Sequence, residues 1–406
     1  MAEGGRTTMA SPPSQTYAPA PAAAPRPWGD VPDRVLVRIS GFLPCLVDRV
    51  HMACVNRHWH TAVTGLQEPP PPLPWLIFPN TETPTFYSAL GRHYHRLGRL
   101  PPDVRRARFC GSSDGGWLLL ALNSRHAYAL YNLYSSQRVP LPPEFMSPKG
   151  AVFPLVVRAA TLSNPPFQNQ FMVAAIVLVA GRSTAAFWTM GRDRWFSWGL
   201  LDVTPQDLIF FEGGFFFITA DEGVVTFYPV ESTAGEVTVA RLDYDMQQRE
   251  DYDTDVGFIG GLGVMRRYLV ESRGRLLMVV RYIYHGTGTA TIRVFNLHVT
   301  APMTNTQLPR ATWEHVGDEL DGRMLFLGPG CSRSFEVAQY DEFQDQESMI
   351  FFLDESFDSV PSADGRRLYS FTDMDRYSME EMTSVPWPPG DRPTRSDNAP
   401  PTWWFN

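Results

Sequence analysis

Gly111-Ser112-Ser113-Asp114-Gly115 has the G-x-S-x-G spacing of a nucleophile elbow. An elbow needs a strand before its serine and a helix after it. Here Trp117-Leu-Leu-Leu-Ala-Leu122 follows and reads as a strand, so a hairpin turn is expected instead. His51, Cys54, His58 and His60 offer a second chemistry. The intervals 51/54 and 54/58 put ligands on one helical face, which zinc could use. In the helical pattern of this stretch, however, Cys54 reads as a small core residue and the histidines as solvated basic positions. Gly260-Gly-Leu-Gly263 and Gly286-Thr-Gly288 lack the Lys-Ser/Thr of a phosphate loop, and no helix pattern follows them. The acidic runs Asp251-Tyr-Asp-Thr-Asp255 and Asp341-Glu-Phe-Gln-Asp345 lack EF-hand spacing and read as solvated loops that could meet a basic partner. No acid, base or metal constellation emerges, so no catalytic residue, metal or cofactor is expected.

Bulk properties narrow the setting. At about 100–200 residues per domain, 406 residues allow two or three domains, or one small module and one large one. With 44% hydrophobic and 13% aromatic residues a sizeable core can be buried, while 36 prolines and 31 glycines favour turns over long helices. The net charge of −8 gives little counterion release on phosphates, which argues against non-specific nucleic-acid binding. Cys45, Cys54, Cys110 and Cys331 form no CxxC pair and suit a reducing compartment. The start of the chain lacks the apolar core of a signal peptide. The longest apolar run, Phe171 to Ala180, is about half of what a membrane helix needs. A nuclear or cytosolic protein without membrane contact is therefore expected.

The organisation divides into four parts. Residues 1–27 are rich in Ala, Pro, Ser and Thr and read as a disordered tail. Residues 28–66 read as a helical module and 67–74 as a stiff proline-rich linker. Residues 75–406 show short apolar runs between turn residues, such as Phe215-Phe-Phe-Ile218 after Glu212-Gly-Gly214. Such runs read as antiparallel hairpins. A hairpin-sized unit recurring every forty to fifty residues indicates a β-propeller of six to eight degenerate blades. A two-sheet or barrel arrangement is the alternative. The expected fold is a small all-α module plus a large all-β domain.

In the module, Asp30 is a candidate cap and Pro32 fits a first helical turn. Val31, Val35, Leu36, Ile39, Phe42 and Leu43 follow at spacings of three and four, as one apolar stripe. Gly41 and Pro44 separate it from a second helix carrying Leu46, Val47, Val50, Cys54 and Val55. Trp59 and Val63 belong to a third.

This layout resembles the F-box. The family's opening is matched by Val31-Pro32-Asp33, its apolar core by Val35-Leu36, Ile39 and Leu43-Pro44, its acidic position by Asp48, and its close by Val55-Asn56-Arg57-His58-Trp59. Arg49 and Asn56 depart from the pattern, where leucine and cysteine or serine are usual. The resemblance implies docking on an Skp-family adaptor, and through it a cullin–RING ligase, by way of Pro32, Val35, Leu36, Ile39, Phe42, Leu43, Pro44, Val50, Val55 and Trp59. A second resemblance covers most of residues 75–405. Trp75-Leu-Ile-Phe-Pro79, Cys110-Gly-Ser-Ser-Asp-Gly115, Asp321-Gly-Arg-Met-Leu-Phe-Leu327, Gly330-Cys-Ser-Arg-Ser334 and the ending Trp403-Trp404-Phe405 are similar to the plant KIB-type propeller domain. Plant proteins join the two domains. Together they imply a non-catalytic substrate receptor of an Skp–cullin–F-box ubiquitin ligase, with an unnamed protein substrate. The alternative is an interaction scaffold that uses an F-box-like module outside a ligase.

Overall fold

The computed structural model describes residues 28–64 and 72–405, apart from 81, 99, 123–126, 167–170, 199–203, 232–235, 250–251, 253–262, 285, 287, 301–306, 318, 345, 355–358 and 362–366. The expected tail, most of the proline linker, the acidic run at 251–255 (except Tyr252) and the glycines at 260–261 lie outside these residues. The chain divides into two compact units, residues 1–68 and 69–406.

The first unit is all helical. A 3-10 turn over Trp28–Asp30 precedes α1 (Asp33–Gly41), α2 (Leu46–Ala53) and α3 (Arg57–Thr64). Asp30, the expected cap of α1, falls in the 3-10 turn. Pro32 holds the cap position, without a side-chain bond. Helix α3 is capped by Asn56, whose Oδ1 accepts the Trp59 backbone N–H at 2.9 Å. That bond satisfies one of the amides a helix start leaves unpaired. Asn56 thus departs from the F-box pattern in residue type while serving the helix. Leu36, Met52, Trp59 and Ala62 make the core, with Val31, Leu43 and Val63 packed against it. The Trp59 indole N–H donates to Trp28 O at 3.0 Å, and His58 Nε2 lies 2.8 Å from Val31 O. Both contacts pin the opening turn to α3.

The second unit is a six-bladed β-propeller. The second and fourth blades are four-stranded antiparallel meanders, while the third, fifth and sixth each include one parallel pair, and the order of blades follows the chain. The innermost strands are Arg108–Ser113 in the second blade, Val156–Leu162 in the third, Pro205–Phe211 in the fourth, Gly263–Ser272 in the fifth and Arg333–Glu336 in the sixth. The first blade is composite. Strands His93–Arg96, Thr85–Ser88 and Trp75–Phe78 come from its start, and Thr402–Trp404 pairs antiparallel with Trp75–Phe78 from the far end of the chain. A three-stranded sheet (Ser359–Pro361, Arg367–Ser370, Arg395–Ser396) lies beside the six blades. Among the described residues of this unit, helix is limited to the single turn Pro102–Arg105, two 3-10 turns and Tyr252.

Strand alternation explains how the blades stick together. Successive side chains point to opposite faces of a sheet, so each blade offers one apolar face to each neighbour. Phe215 and Phe217 join the core shared with the third blade, while Phe216 and Ile218 join the one shared with the fifth. Equivalent clusters lie between second and third, fifth and sixth, and sixth and first blades. Two-residue hairpins such as Glu212-Gly213 and Arg273-Gly274 have positive φ at both positions, the backbone that tight hairpins demand.

Near the axis the backbone is crowded. A Cβ on Gly111 would come within 2.3 Å of Ala160 O, so only glycine fits there. The buried Asp207 carboxylate accepts the Leu269 N–H at 2.8 Å and the Gly330 N–H at 2.6 Å, joining three blades. The indole N–H of Trp403 donates to Leu327 O at 2.7 Å and ties the closing strand to the sixth blade.

Candidate functional site

Helix α1 carries more apolar surface than its own module covers. Leu36 is fully buried, and Leu43, seven positions on, packs against the same core. Val35, Ile39 and Phe42, at the same intervals, lie on the other side and are exposed, Phe42 to 73%. The single stripe read from the sequence is therefore two faces. Val50, Val55 and Trp28 add further exposed apolar side chains. A fully buried Val, Ile or Phe side chain stabilises a fold by about 1.5–3 kcal/mol, so this face forgoes several such contributions. Contiguous exposed apolar side chains of this kind mark an interaction surface.

The ten residues expected to meet an adaptor separate accordingly. Pro32, Val35, Ile39, Phe42, Val50 and Val55 are exposed, and Leu43 and Pro44 are partly buried. Leu36 and Trp59 are internal to the module and cannot be contact residues without its opening. Cys54, expected as a small core residue, is exposed, because it ends α2 on the outer side. His51, His58 and His60 are solvated, as their helical positions implied. His58 also lies 3.4 Å from the Asp33 carboxylate.

The propeller residues singled out by their spacing serve the fold. In the G-x-S-x-G segment, Gly111 to Ser113 belong to the strand Arg108–Ser113 and the turn begins only at Asp114. Ser112 Oγ accepts the Phe405 N–H, and Asp114 pairs with Arg333 at 3.1 Å. Asp341 and Glu342 form a 3-10 turn, anchored by buried Phe343. Gly286 sits in a turn, and Gly288 opens the strand Gly288–Thr300.

No motif in the chain marks its buried ion pairs. The Glu222 carboxylate takes Arg249 Nε at 2.8 Å and Arg267 Nη2 at 3.1 Å, with all three side chains almost fully buried. Arg281 holds Asp373, donates to Leu353 O at 2.8 Å and lies over the Phe352 ring. Their partners are far apart in sequence, so no local spacing could reveal them. Burial raises the Asp375 carboxyl, the neighbouring Asp373 adds to this, and Arg392 and Arg281 oppose it. Breaking such pairs one-sidedly is strongly destabilising, which fits a role in fixing blade geometry.

A family profile described as KIB1-4 beta-propeller matches residues 86–378. No curated protein matches the chain by sequence. Among solved structures, a chain of a nidogen–laminin complex is similar at 8% identity and a TM-score of 0.34, covering 77% of this chain and 92% of its own. TolB from Acinetobacter baumannii is similar at 10% identity and a TM-score of 0.36, over 85% of this chain and 69% of its own. The N-terminal domain of Nup159 is similar at 9% identity and a TM-score of 0.32, over 82% and 79%. These likenesses are weak and extend to no function.

Proposed function

The chain belongs to the KIB1-4 beta-propeller family, and on that premise we propose that it is a substrate receptor of an Skp–cullin–F-box ubiquitin ligase. A propeller of this family supports a protein-binding role. The finer assignment rests on the helical module, whose residue pattern resembles the F-box. It also assumes the plant-type union of the two domains. In this reading the propeller holds a target protein and the module docks an Skp-family adaptor. The receptor contributes proximity and no catalytic group. The nucleus or cytosol, where such ligases act, is the proposed location; four free thiols fit it.

The observation that carries this reading is the second face of α1, with Val35, Ile39 and Phe42 exposed in a row. A helix that lays an apolar row into a groove is a common recognition mode, and a few large anchors dominate its energy. The test is capture by a purified Skp-family adaptor, comparing wild type with Ile39→Asp/Phe42→Asp. Both side chains are exposed, so the double variant should fold. Wild type is expected to be captured, and the variant to lose at least a hundredfold in affinity. No capture of wild type at micromolar adaptor would sink the ligase reading and leave an interaction scaffold. Equal capture of the variant would show that another face docks.

A further inference from the structure

Two outer strands of the fifth blade, Gly288–Thr300 and Arg310–His315, bring three polar side chains together. Asn296 pairs directly with Glu314, and His298 lies two residues along from Asn296. All three therefore share one face of the sheet. His298 Nε2 stands 3.1 Å from Glu314 Oε2 and 2.9 Å from Asn296 Nδ2. The His298 and Glu314 side chains are 50% and 60% exposed, so the group is open to solvent.

The arrangement sets its own groups against each other. If the Asn296 amide donates to His298 Nε2, that nitrogen carries no proton and faces the Glu314 carboxylate bare. If Nε2 carries a proton for Glu314, it meets the amide N–H instead. Asn296 Oδ1, meanwhile, is buried and accepts no hydrogen bond. Turning the amide over exchanges its oxygen and nitrogen, which have nearly the same shape, and brings Oδ1 to His298 Nε2. An imidazole nitrogen, a carboxylate oxygen and an amide oxygen then converge, and a cation satisfies all three. Two atoms bound to one ion at about 2.1 Å, at angles of about 90–109°, stand about 3.0–3.4 Å apart. The observed 2.9 and 3.1 Å lie at the near edge of that range, so little movement is needed.

The group forms one wall of a recess of about 490 Å³. Val316, Glu319 and the Arg275–Asp321 pair, 3.4 Å apart, form the others. His315 lines it too, but its Nδ1 accepts the Gly317 N–H at 3.2 Å. That bond places the His315 proton on Nε2 and takes this ring out of the ligand set.

We propose that Asn296, His298 and Glu314 bind a divalent transition-metal ion of the zinc class. His298 Nε2, a Glu314 oxygen and Asn296 Oδ1 are the protein ligands. Three protein ligands leave the ion a further position, which opens onto the recess and takes water or a partner's side chain. The imidazole selects zinc, nickel or copper over calcium, which takes six to eight oxygens. The paired strands hold the ligands in register before the ion arrives. The site does not depend on the ligase reading, nor that reading on the site.

The experiment titrates the full chain, freed of metal with a chelator and dialysed, with zinc chloride in a calorimeter. The chain's thiols and other histidines also take zinc, so the readout is the site that a variant loses. His298→Ala and Glu314→Gln should each weaken one site by at least about tenfold, since even outer partners of a metal site carry that much. Asn296→Asp offers a charged oxygen in either orientation and should bind more tightly than wild type. Glu319→Gln should bind like wild type, and calcium chloride should give no binding heat at submillimolar concentration. Equal zinc binding by wild type and His298→Ala would overturn the proposal and leave an ordinary surface ion pair. Calcium binding as tight as zinc, or Glu319→Gln weakening zinc as much as Glu314→Gln, would also overturn it, by showing that the recess gathers cations through charge alone. Unchanged melting temperatures of the metal-free variants, whose substituted side chains lie at the surface, check that each one folds.

Discussion

The helical module and the propeller treat their apolar residues in opposite ways. The propeller encloses most of its large side chains in clusters between blades, its closing tryptophans Trp403 and Trp404 among them, and its exposed ones, such as Trp198 and Met382, are scattered along the chain. The module buries Leu36 and Trp59 but leaves Val35, Ile39 and Phe42 on its surface. The difference is one of size. A unit of about forty residues cannot enclose both faces of a helix, whereas a ring of sheets gives every blade two neighbours. The propeller's large apolar clusters are closed between its blades, and the module leaves one face of its first helix uncovered.

The largest effects should come from removing one tryptophan in each unit. Trp403→Ala deletes a side chain packed on Phe326 and Trp387 and leaves Leu327 O without its donor. Trp59→Ala deletes the centre of the module core. Each should cost about 3–5 kcal/mol in its own unit. Near-ultraviolet circular dichroism should report the loss for Trp403→Ala, and helical far-ultraviolet signal the loss for Trp59→Ala. If Trp59→Ala lowered the propeller's unfolding temperature equally, the two units would not be independent.

A smaller effect is expected at the axis. Gly111→Ala forces a methyl group against Ala160 O and should destabilise the propeller by about 1–3 kcal/mol, measured by denaturant unfolding. A neutral outcome would mean that the inner strands can separate, and the contrast between a closed propeller and an open module would weaken.

The smallest effect concerns charge. The Glu336 carboxyl is held down to about 2 from its usual 4.5, first by its bonds from Arg273 and also by Arg323, against the opposing effect of burial. A depressed folded-state pKa gives stability that is full above about 4.5 and is lost as pH falls through about 2. Glu336→Gln should therefore unfold at lower temperature than wild type at neutral pH, and the gap should close between about pH 4.5 and 2. The pair is partly exposed, so added salt should narrow the gap as well. A gap that widened on acidification would contradict this role.

The sequence made the architecture legible because strand and turn chemistry is local. Runs such as Phe215-Phe-Phe-Ile218 and turns such as Glu212-Gly213 name themselves, and the forty-to-fifty-residue unit follows. The six blades fall at the lower end of the expected range. Side-chain placement was less legible. A 3.6-residue period puts Leu36 and Ile39 on one broad stripe, and only tertiary packing decides which is buried. The register shifts that leave Cys110, Arg158 and Gln206 as extra residues in three inner strands were invisible for another reason. Cys110, Arg158 and Gln206 share a backbone geometry and no chemistry, so a pattern of residue types does not register them. The pairing of Arg249 and Arg267 on Glu222 depends on contacts between blades and leaves no local trace.

The composite first blade has a kinetic consequence. Trp75 pairs with Trp404, a residue synthesised more than three hundred positions later. Until then the strand Trp75–Phe78 shows an unpaired edge, the template on which chains associate wrongly. Closing so long a loop comes late and slowly, since its entropy must be lost before any pairing is gained. During translation the ring must stay open while five blades accumulate, and its first strands keep that edge until the last residues arrive.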